Sequence, residues 1–146
     1  MGKARRRVPV EEFVRRCKAA GLSVTPQRIA IYDAIAGNPS HPSPEAVYRR
    51  IRLTHPTIAL ATVYKTLDTF SRHGLVALLT PMHETVRYDP LTIQHHHMIC
   101  VKCKEVVDVV DPALDEIRLP TRVRRSTKVL GYSIHFNVLC PSCRAR

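Results

Sequence analysis

His95-His96-His97-Met98-Ile99-Cys100-Val101-Lys102-Cys103 sets three imidazoles beside a Cys-x-x-Cys pair within nine positions. Its middle reads as a strand, and on a strand alternate side chains share a face. His95 and His97 then point together and His96 points away. A second Cys-x-x-Cys pair, Cys140 and Cys143, begins after 36 intervening residues. Each pair can form a knuckle that presents two sulfurs, and two knuckles make a tetrahedral site. Soft thiolates favour zinc, and with every position taken by sulfur none is left for substrate. The zinc expected at Cys100, Cys103, Cys140 and Cys143 is therefore structural. Unrelated buried thiols are the plainer alternative, which two such pairs make hard to sustain. A dithiol redox couple leaves the second pair unexplained.

Around this stretch lie further nitrogen and oxygen donors. Asp89 stands six residues before His95, and Asp108 five beyond Cys103 on what reads as the next strand. His41 is remote, in a loop. A mixed imidazole and carboxylate set suits iron(II), manganese(II) or zinc more than a thiolate-loving ion. Spacing puts His95 and His97 forward as a pair. On spacing alone Asp89, Asp108 and His41 are weaker candidates, and a hydrophilic surface tract is the alternative.

Toward the amino terminus the chain reads as helices. Glu11 to Ala20 carries Phe13, Val14 and Cys17 on one side, acids at its start and Gly21 at its end. Cys17 is then a small core residue. Thr25-Pro26 opens a second helix, with Thr25 as N-cap, that runs to Ala36 and stops at Gly37. Ser43-Pro44 repeats the signal and starts a third through Arg52. A fourth runs from near Ile58 to Gly74, with Leu60, Val63, Leu67 and Phe70 as its buried stripe. Strands at Leu75–Leu79 and Thr85–Tyr88 follow, joined through Pro81-Met82-His83-Glu84. This order outlines a winged helix, whose last helix enters the major groove.

Composition shifts after Asp89-Pro90. Strand-like pieces stand at His97–Cys100, Glu105–Val110 and Tyr132–Leu139. A helix, Ala113 to Leu119, precedes Pro120, and Val123 to Val129 is ambiguous. This half reads as a small α+β domain.

The totals agree. Apolar residues make up 45% of 146 positions, enough for a core, though each half alone is small and suits a metal or an oligomer interface as a staple. The net charge of +11 predicts a polyanionic partner, with nucleic acid first. Residues 1–89 hold 14 Lys/Arg against 7 Asp/Glu, a net +7 on the proposed DNA-binding half. No apolar run approaches the ~18–20 residues of a membrane span. The basic Met1–Arg7 segment has no apolar run behind it, so no secretory signal is read and a cytoplasmic protein is expected. Thiols stay reduced there, which again favours metal ligation over disulfides.

Several stretches together resemble the ferric uptake regulator (Fur) family of bacterial metal-dependent repressors, from about Val10 to Cys143. They are Ala20-Gly21-Leu22-Ser23-Val24-Thr25-Pro26-Gln27-Arg28, Ala61-Thr62-Val63-Tyr64-Lys65-Thr66-Leu67 and Gly74-Leu75-Val76. Arg87-Tyr88-Asp89, the opening histidine and cysteine stretch and Cys140-Pro141-Ser142-Cys143 complete the match. The resemblance implies an α+β chain: a winged-helix DNA-binding domain over residues 1–88, then a small α/β dimerisation and metal-binding domain over residues 89–146. It implies a homodimer on a near-palindromic double-stranded operator. It implies structural Zn2+ on the four cysteines, and a regulatory Fe2+ or Mn2+ held jointly by His41, Asp89, His95, His97 and Asp108. The chain is then a repressor rather than an enzyme. No membrane is involved, and no small molecule is bound beyond the metal ion and peroxide.

Within the family, aspartate as the last regulatory ligand is typical of the peroxide-sensing members (PerR), and iron-sensing members usually have glutamate. Asp108 thus favours peroxide sensing by oxidation of a ligand histidine, His41 or His95. Lys65 resembles iron-sensing members instead, so an iron- or zinc-responsive repressor is the alternative. Thr62 and Tyr64 are candidates for base or thymine-methyl contact and Lys65 for base or phosphate. For Tyr64, which adjoins the apolar stripe, burial in the core is the other reading. Arg28, Arg15, Arg16 and the Arg5–Arg7 run are expected on phosphates or nearby minor groove.

The family often has serine where this chain has Ala59. A missing cap costs ~1 kcal/mol unless another residue, nearest Thr57, takes over. No histidine stands at Leu130-Gly131-Tyr132, so no third metal site is expected; His96 and His135 are unassigned. A zinc hydrolase using His95, His97 and an aspartate, with Glu84 or Glu105 as base, is the reading from another class. It leaves the basic helical half unexplained.

Overall fold

The computed structural model describes residues 8–36, 38–79 and 86–146. The expectations for Arg5–Arg7, for Gly37 as a helix stop, for Thr85 and for Pro81–Glu84 lie outside the described residues. The chain forms two compact units, one ending at Thr92 and the other beginning at Ile93.

The first unit holds α1 (Val10–Ala19), α2 (Pro26–Ala36), α3 (Pro44–Ile51), α4 (Leu60–Arg72), β1 (Ala77–Leu79) and β2 (Arg87–Asp89). Local chemistry sets the helix ends. Glu11 and Glu12 sit in the first turn of α1, where the helix dipole favours acids. Gly21, at φ 71°, ends that helix as the Leu22 N–H turns back to the Cys17 carbonyl at 2.9 Å. Thr25 Oγ1 accepts from the Arg28 N–H at 3.2 Å, and Ser43 Oγ from the Ala46 N–H at 3.3 Å, so both expected caps form.

Thr57 does not cap α4. Ala59 holds the N-cap position with no side-chain hydrogen bond, and Thr57 lies two residues too early for the orphan amides of the first turn. The buried stripe of α4 also differs from expectation. Val63, Thr66, Leu67 and Phe70 are buried at helical spacing, whereas Leu60 is 36% exposed in a first turn that also leaves Ala61 exposed.

Phe13 is the centre of this unit's core. It stacks on Tyr32 with centroids 3.9 Å apart and meets Phe70 edge-on at 5.1 Å. Cys17 is fully buried among the core residues, as read from the helix pattern. Gly74, at φ 66°, turns the chain so that Leu75 and Val76 drop into the core. The first strand therefore starts at Ala77 rather than Leu75. It pairs antiparallel with β2, Ala77 opposite Asp89 and Leu79 opposite Arg87. The unit is a winged helix.

The second unit holds β3 (His96–Cys100), β4 (Val106–Val109), α5 (Pro112–Asp115), α6 (Thr121–Ser126), β5 (His135–Val138) and α7 (Pro141–Arg144). Its sheet runs β4-β3-β5. Strand β4 is antiparallel to β3, with Asp108 opposite His97, and β5 is parallel to it, with His135 opposite His97. Helix α5 is shorter than the expected Ala113–Leu119 and starts earlier, because Asp111 caps it by accepting the Ala113 N–H at 2.9 Å. The ambiguous Val123–Val129 stretch becomes the short α6, ending at Ser126. No helix among the described residues is long and apolar enough to cross a membrane.

Candidate metal centre

The cysteine quartet lies wholly within the second unit. Strand β3 ends at Cys100, and a turn closed by the Lys104 N–H on the Cys100 carbonyl (2.9 Å) carries Cys103. Lys104 takes φ 63° to make that turn. Strand β5 delivers Cys140 to the N-cap of α7, and one helical turn places Cys143. The sulfurs of Cys100, Cys103, Cys140 and Cys143 all lie within 4.8 Å of one another, and none is in a disulfide. Cys103 and Cys140 are 3.6 Å apart at sulfur, far beyond a covalent bond. That separation is near the ~3.8 Å edge of a sulfur tetrahedron built on zinc–sulfur bonds of ~2.3 Å.

Backbone amides prepare one of these sulfurs. The Cys140 N–H donates to Cys100 Sγ at 3.4 Å, and with the Cys103 amide it stabilises the thiolate and lowers the Cys100 pKa to about 6. Burial, then hydrogen bonding within the quartet, pushes Cys143 up to about 12. Such a set suits a soft-ligand ion in tetrahedral coordination, whose binding displaces the remaining thiol protons.

The nitrogen and oxygen donors fall as a triad in the second unit and a pair in the first. His95 directly precedes β3, and its Nδ1–H donates to the Ile93 carbonyl at 2.8 Å. A carbonyl only accepts, so the neutral ring keeps its lone pair on Nε2, the tautomer that ligates metals. His95 Nε2 and His97 Nε2 lie 3.6 and 3.7 Å from Asp108 Oδ1, and the two rings are 4.6 Å apart. Asp108 reaches them because its register on β4 puts it opposite His97.

In the first unit, His41 and Asp89 are fully buried, with His41 Nε2 3.0 Å from Asp89 Oδ2. His41 has φ 51°, a left-handed conformation that costs about 1–3 kcal/mol in a non-glycine residue. Arg87 fixes its carbonyl at 3.1 Å. The Leu91 N–H donates to Asp89 Oδ1 at 2.8 Å, which sets the carboxylate's orientation.

His96 turns away from the triad, as alternation predicts. Its Nδ1 accepts the Ile134 N–H at 3.1 Å and its Nε2 meets Asp115 at 3.1 Å, with the ring stacked on Tyr132. The Tyr132 hydroxyl donates to the Leu114 carbonyl at 2.7 Å. His96 is thus a polar strut between β3, α5 and the approach to β5. His135 joins the surroundings of His97, with ring centroids 5.4 Å apart. Burial, then the neighbouring His97, lowers its pKa. That proximity follows from the parallel pairing of β3 and β5, for which the sequence carries no local signal.

The remaining candidates are spread across the first unit. Thr62, Tyr64 and Lys65 share α4; Thr62 is half-buried and the other two are exposed. Tyr64 is 42% exposed, so it is not a core residue. Arg15 pairs with Glu12 on α1. Arg16 donates to the Gly74 carbonyl at 2.5 Å, and Arg28, on α2, to the Ser23 carbonyl at 2.6 Å. Glu105, the hydrolase base considered above, is exposed in the turn before β4; Glu84 lies outside the described residues.

Known proteins fit this arrangement. The peroxide-responsive repressor PerR of Staphylococcus epidermidis is 32% identical over 135 residues, covering 92% of this chain and 90% of its own. The structure of the ferric uptake regulator from Francisella tularensis, solved with iron, matches with a TM-score of 0.72 at 29% identity, over 85% of this chain and 96% of that one. Helicobacter pylori Fur, described as having three functional metal binding sites, shares the fold with a TM-score of 0.79 at 21% identity, over 96% and 97% of the two chains. The model of the ferric uptake regulator family matches residues 19–143, and the chain belongs to that family.

Proposed function

We propose that this protein is a metal-dependent transcriptional repressor, and not an enzyme. It binds operator DNA as a homodimer when His41, Asp89, His95, His97 and Asp108 together hold Fe2+ or Mn2+, and it releases DNA when peroxide oxidises a ligand histidine. The observation that carries this reading is Asp108 in register opposite His97, its carboxylate facing both His95 and His97. Two imidazoles and a carboxylate suit those ions and leave thiolate-seeking ions to the cysteines.

The division of labour follows from the residues. Cys100, Cys103, Cys140 and Cys143 hold Zn2+, fix the end of β5 to the end of β3, and are not the sensing thiols. Residues 1–88 read DNA: Thr62, Tyr64 and Lys65 face the bases, and Arg28, Arg15 and Arg16 the phosphates. Residues 89–146 pair two chains. Met98, Val107 and Phe136 lie side by side on the sheet at 37%, 44% and 39% exposure, an apolar face suited to a second copy. Ligands drawn from both parts of the chain couple metal binding to the spacing of two recognition helices, which must enter grooves ~34 Å apart on adjacent half-sites. The coupling is a population shift set by the metal's preference for the DNA-competent form.

Peroxide sensing is supported by aspartate, not glutamate, at position 108 and by the likeness to the staphylococcal repressor. An iron(II) ion held by these residues would start the cleavage of the peroxide O–O bond, with the ligand ring then taking up one oxygen and the other leaving as water. The Nδ1 bond to the Ile93 carbonyl holds the His95 ring in place beside it. An iron- or zinc-responsive repressor without peroxide chemistry is the second reading, favoured by Lys65 and by the likeness to the Francisella regulator. In either case the protein works in the cytoplasm, where its thiols stay available to zinc.

The test is a gel shift with and without Fe2+ or Mn2+, then mass spectrometry of the iron-loaded protein after brief peroxide exposure. Metal-dependent retardation and one added oxygen on His41 or His95 are expected. An unmodified peptide with DNA binding retained leaves the iron- or zinc-responsive reading; binding indifferent to metal overturns both.

A further inference from the structure

The positive charge of the second unit is segregated. Residues 90–116 hold 2 Lys/Arg and 5 Asp/Glu, whereas residues 117–146 hold 7 Lys/Arg and no acid at all. Arg118, Arg122, Arg124, Arg125 and Lys128 fall within one short segment around α6, and each is exposed. None of these five makes an ion pair or a side-chain hydrogen bond with the described residues, in contrast to Arg15, Arg16 and Arg28 of the first unit. Arg122 and Arg125, three apart on α6, share one face. Arg118 and Arg124 line a recess of about 390 Å³ whose other walls are Ile117 and Leu119.

We propose that this segment is a second, sequence-independent DNA-binding surface, separate from α4, that grips the phosphate backbone of a duplex. Four of its five cations are arginine, whose planar fork matches phosphate oxygens in a way lysine's point charge does not. The recess joins two guanidinium groups to two aliphatic side chains, which suits a phosphate and the apolar flank of its sugar. Because the five cations have no partners among the described residues, engaging an anion breaks no bond described in the fold. Each phosphate neutralised releases condensed counterions, so the surface adds affinity that is steeply salt-dependent and blind to sequence.

The experiment is an anisotropy titration of the full-length, zinc-loaded protein against a labelled duplex with no symmetric site, across a salt series. The variant combines Arg118→Gln, Arg122→Gln, Arg124→Gln, Arg125→Gln and Lys128→Gln; a milder one carries only R122Q and R125Q, should the first lose zinc. The slope of log K against log salt becomes shallower by about 0.9 for each phosphate that is no longer neutralised, about 2–4 for the full variant and up to about 2 for the milder one. An unchanged slope in a variant that retains zinc overturns the proposal and leaves a solvated charged face. Polyglutamate of matched charge competing as well as duplex overturns the assignment to DNA in favour of an acidic polypeptide.

Discussion

The hydroxyl of Tyr64, on the exposed face of α4, donates its hydrogen to the carboxylate of Glu45 in α3. This bond lowers the Glu45 pKa and raises that of Tyr64. A hydroxyl whose proton is committed offers only lone pairs to an incoming group. On the proposed reading, Tyr64 therefore reads a donor in the major groove, the amino group of adenine or cytosine. Glu45→Ala frees the hydroxyl to rotate, and operator affinity falls several-fold while discrimination at that base pair relaxes. The sign with pH is that of a depressed carboxylate: the link is fully present above the ordinary glutamate range and is lost only as acid protonates Glu45. Binding measured on a set of base-substituted operators checks this. Unchanged discrimination in the variant means Tyr64 does not read through its oxygen.

On the proposed reading, zinc loading of the cysteine quartet depends on pH through Cys100. Its thiol is lowered to about 6, so at neutral pH it is already a thiolate in the metal-free fold. Zinc binding then releases fewer than four protons, measurable by titration calorimetry in buffers of different ionisation enthalpy. An acid group with a depressed folded pKa stabilises the fold above its unfolded value, and that contribution disappears as pH falls through about 6. Release of all four protons contradicts the prepared thiolate. Cys140→Ser removes one of the four sulfurs while keeping the backbone N–H that donates to Cys100 Sγ, and loses the metal. Apparent zinc contributions of ~10–16 kcal/mol in small domains make loss of the cooperative unfolding of this unit the expected result.

What could be read in advance was what local chemistry decides. Thr25-Pro26 and Ser43-Pro44 announce caps because a side-chain oxygen and a fixed φ act within one turn. The two faces of the histidine run follow from strand alternation alone. What could not be read depends on distant partners. Leu60 fits the apolar period of α4 but lies before the packed part of the helix, and Thr66 takes a buried place because of its position, not its polarity. His135 meets His97 only because β5 lies parallel to β3 across a long connection. The extent of α6 was hidden by an arginine-rich stretch with no apolar period. The cysteine quartet stands between these cases: the spacing named its members, and only the turns at Lys104 and α7 show how their sulfurs converge.

Phe13→Ala tests the core of the first unit by itself. The ring stacks on Tyr32 and meets Phe70 edge-on, and none of it is exposed. Removing a buried aromatic costs about 3–5 kcal/mol, a large share of the stability of a domain this small. Thermal unfolding followed by circular dichroism should show the winged helix melting at much lower temperature, with metal analysis still finding zinc on the cysteine quartet. Loss of zinc in the same variant means the two units do not fold independently.

Asp108→Glu probes the proposed regulatory triad without removing a charge. The carboxylate sits opposite His97 in the β3–β4 register, and one oxygen lies 3.6 Å from His95 Nε2 and 3.7 Å from His97 Nε2. An added methylene keeps an oxygen donor on the same strand position but changes its reach and angle toward both imidazoles. Metal-dependent DNA binding persists because the donor set is chemically the same. On the proposed peroxide-sensing reading, the rate at which peroxide oxidises a ligand histidine falls, because the carboxylate's reach and angle toward both imidazoles have changed. Gel shifts with Mn2+ measure the first effect, and the fraction of oxidised peptide after timed peroxide exposure of the Fe2+-loaded protein measures the second. Equal oxidation in the two proteins refutes the role given to carboxylate length, and loss of Mn2+-dependent binding assigns Asp108 to metal affinity alone.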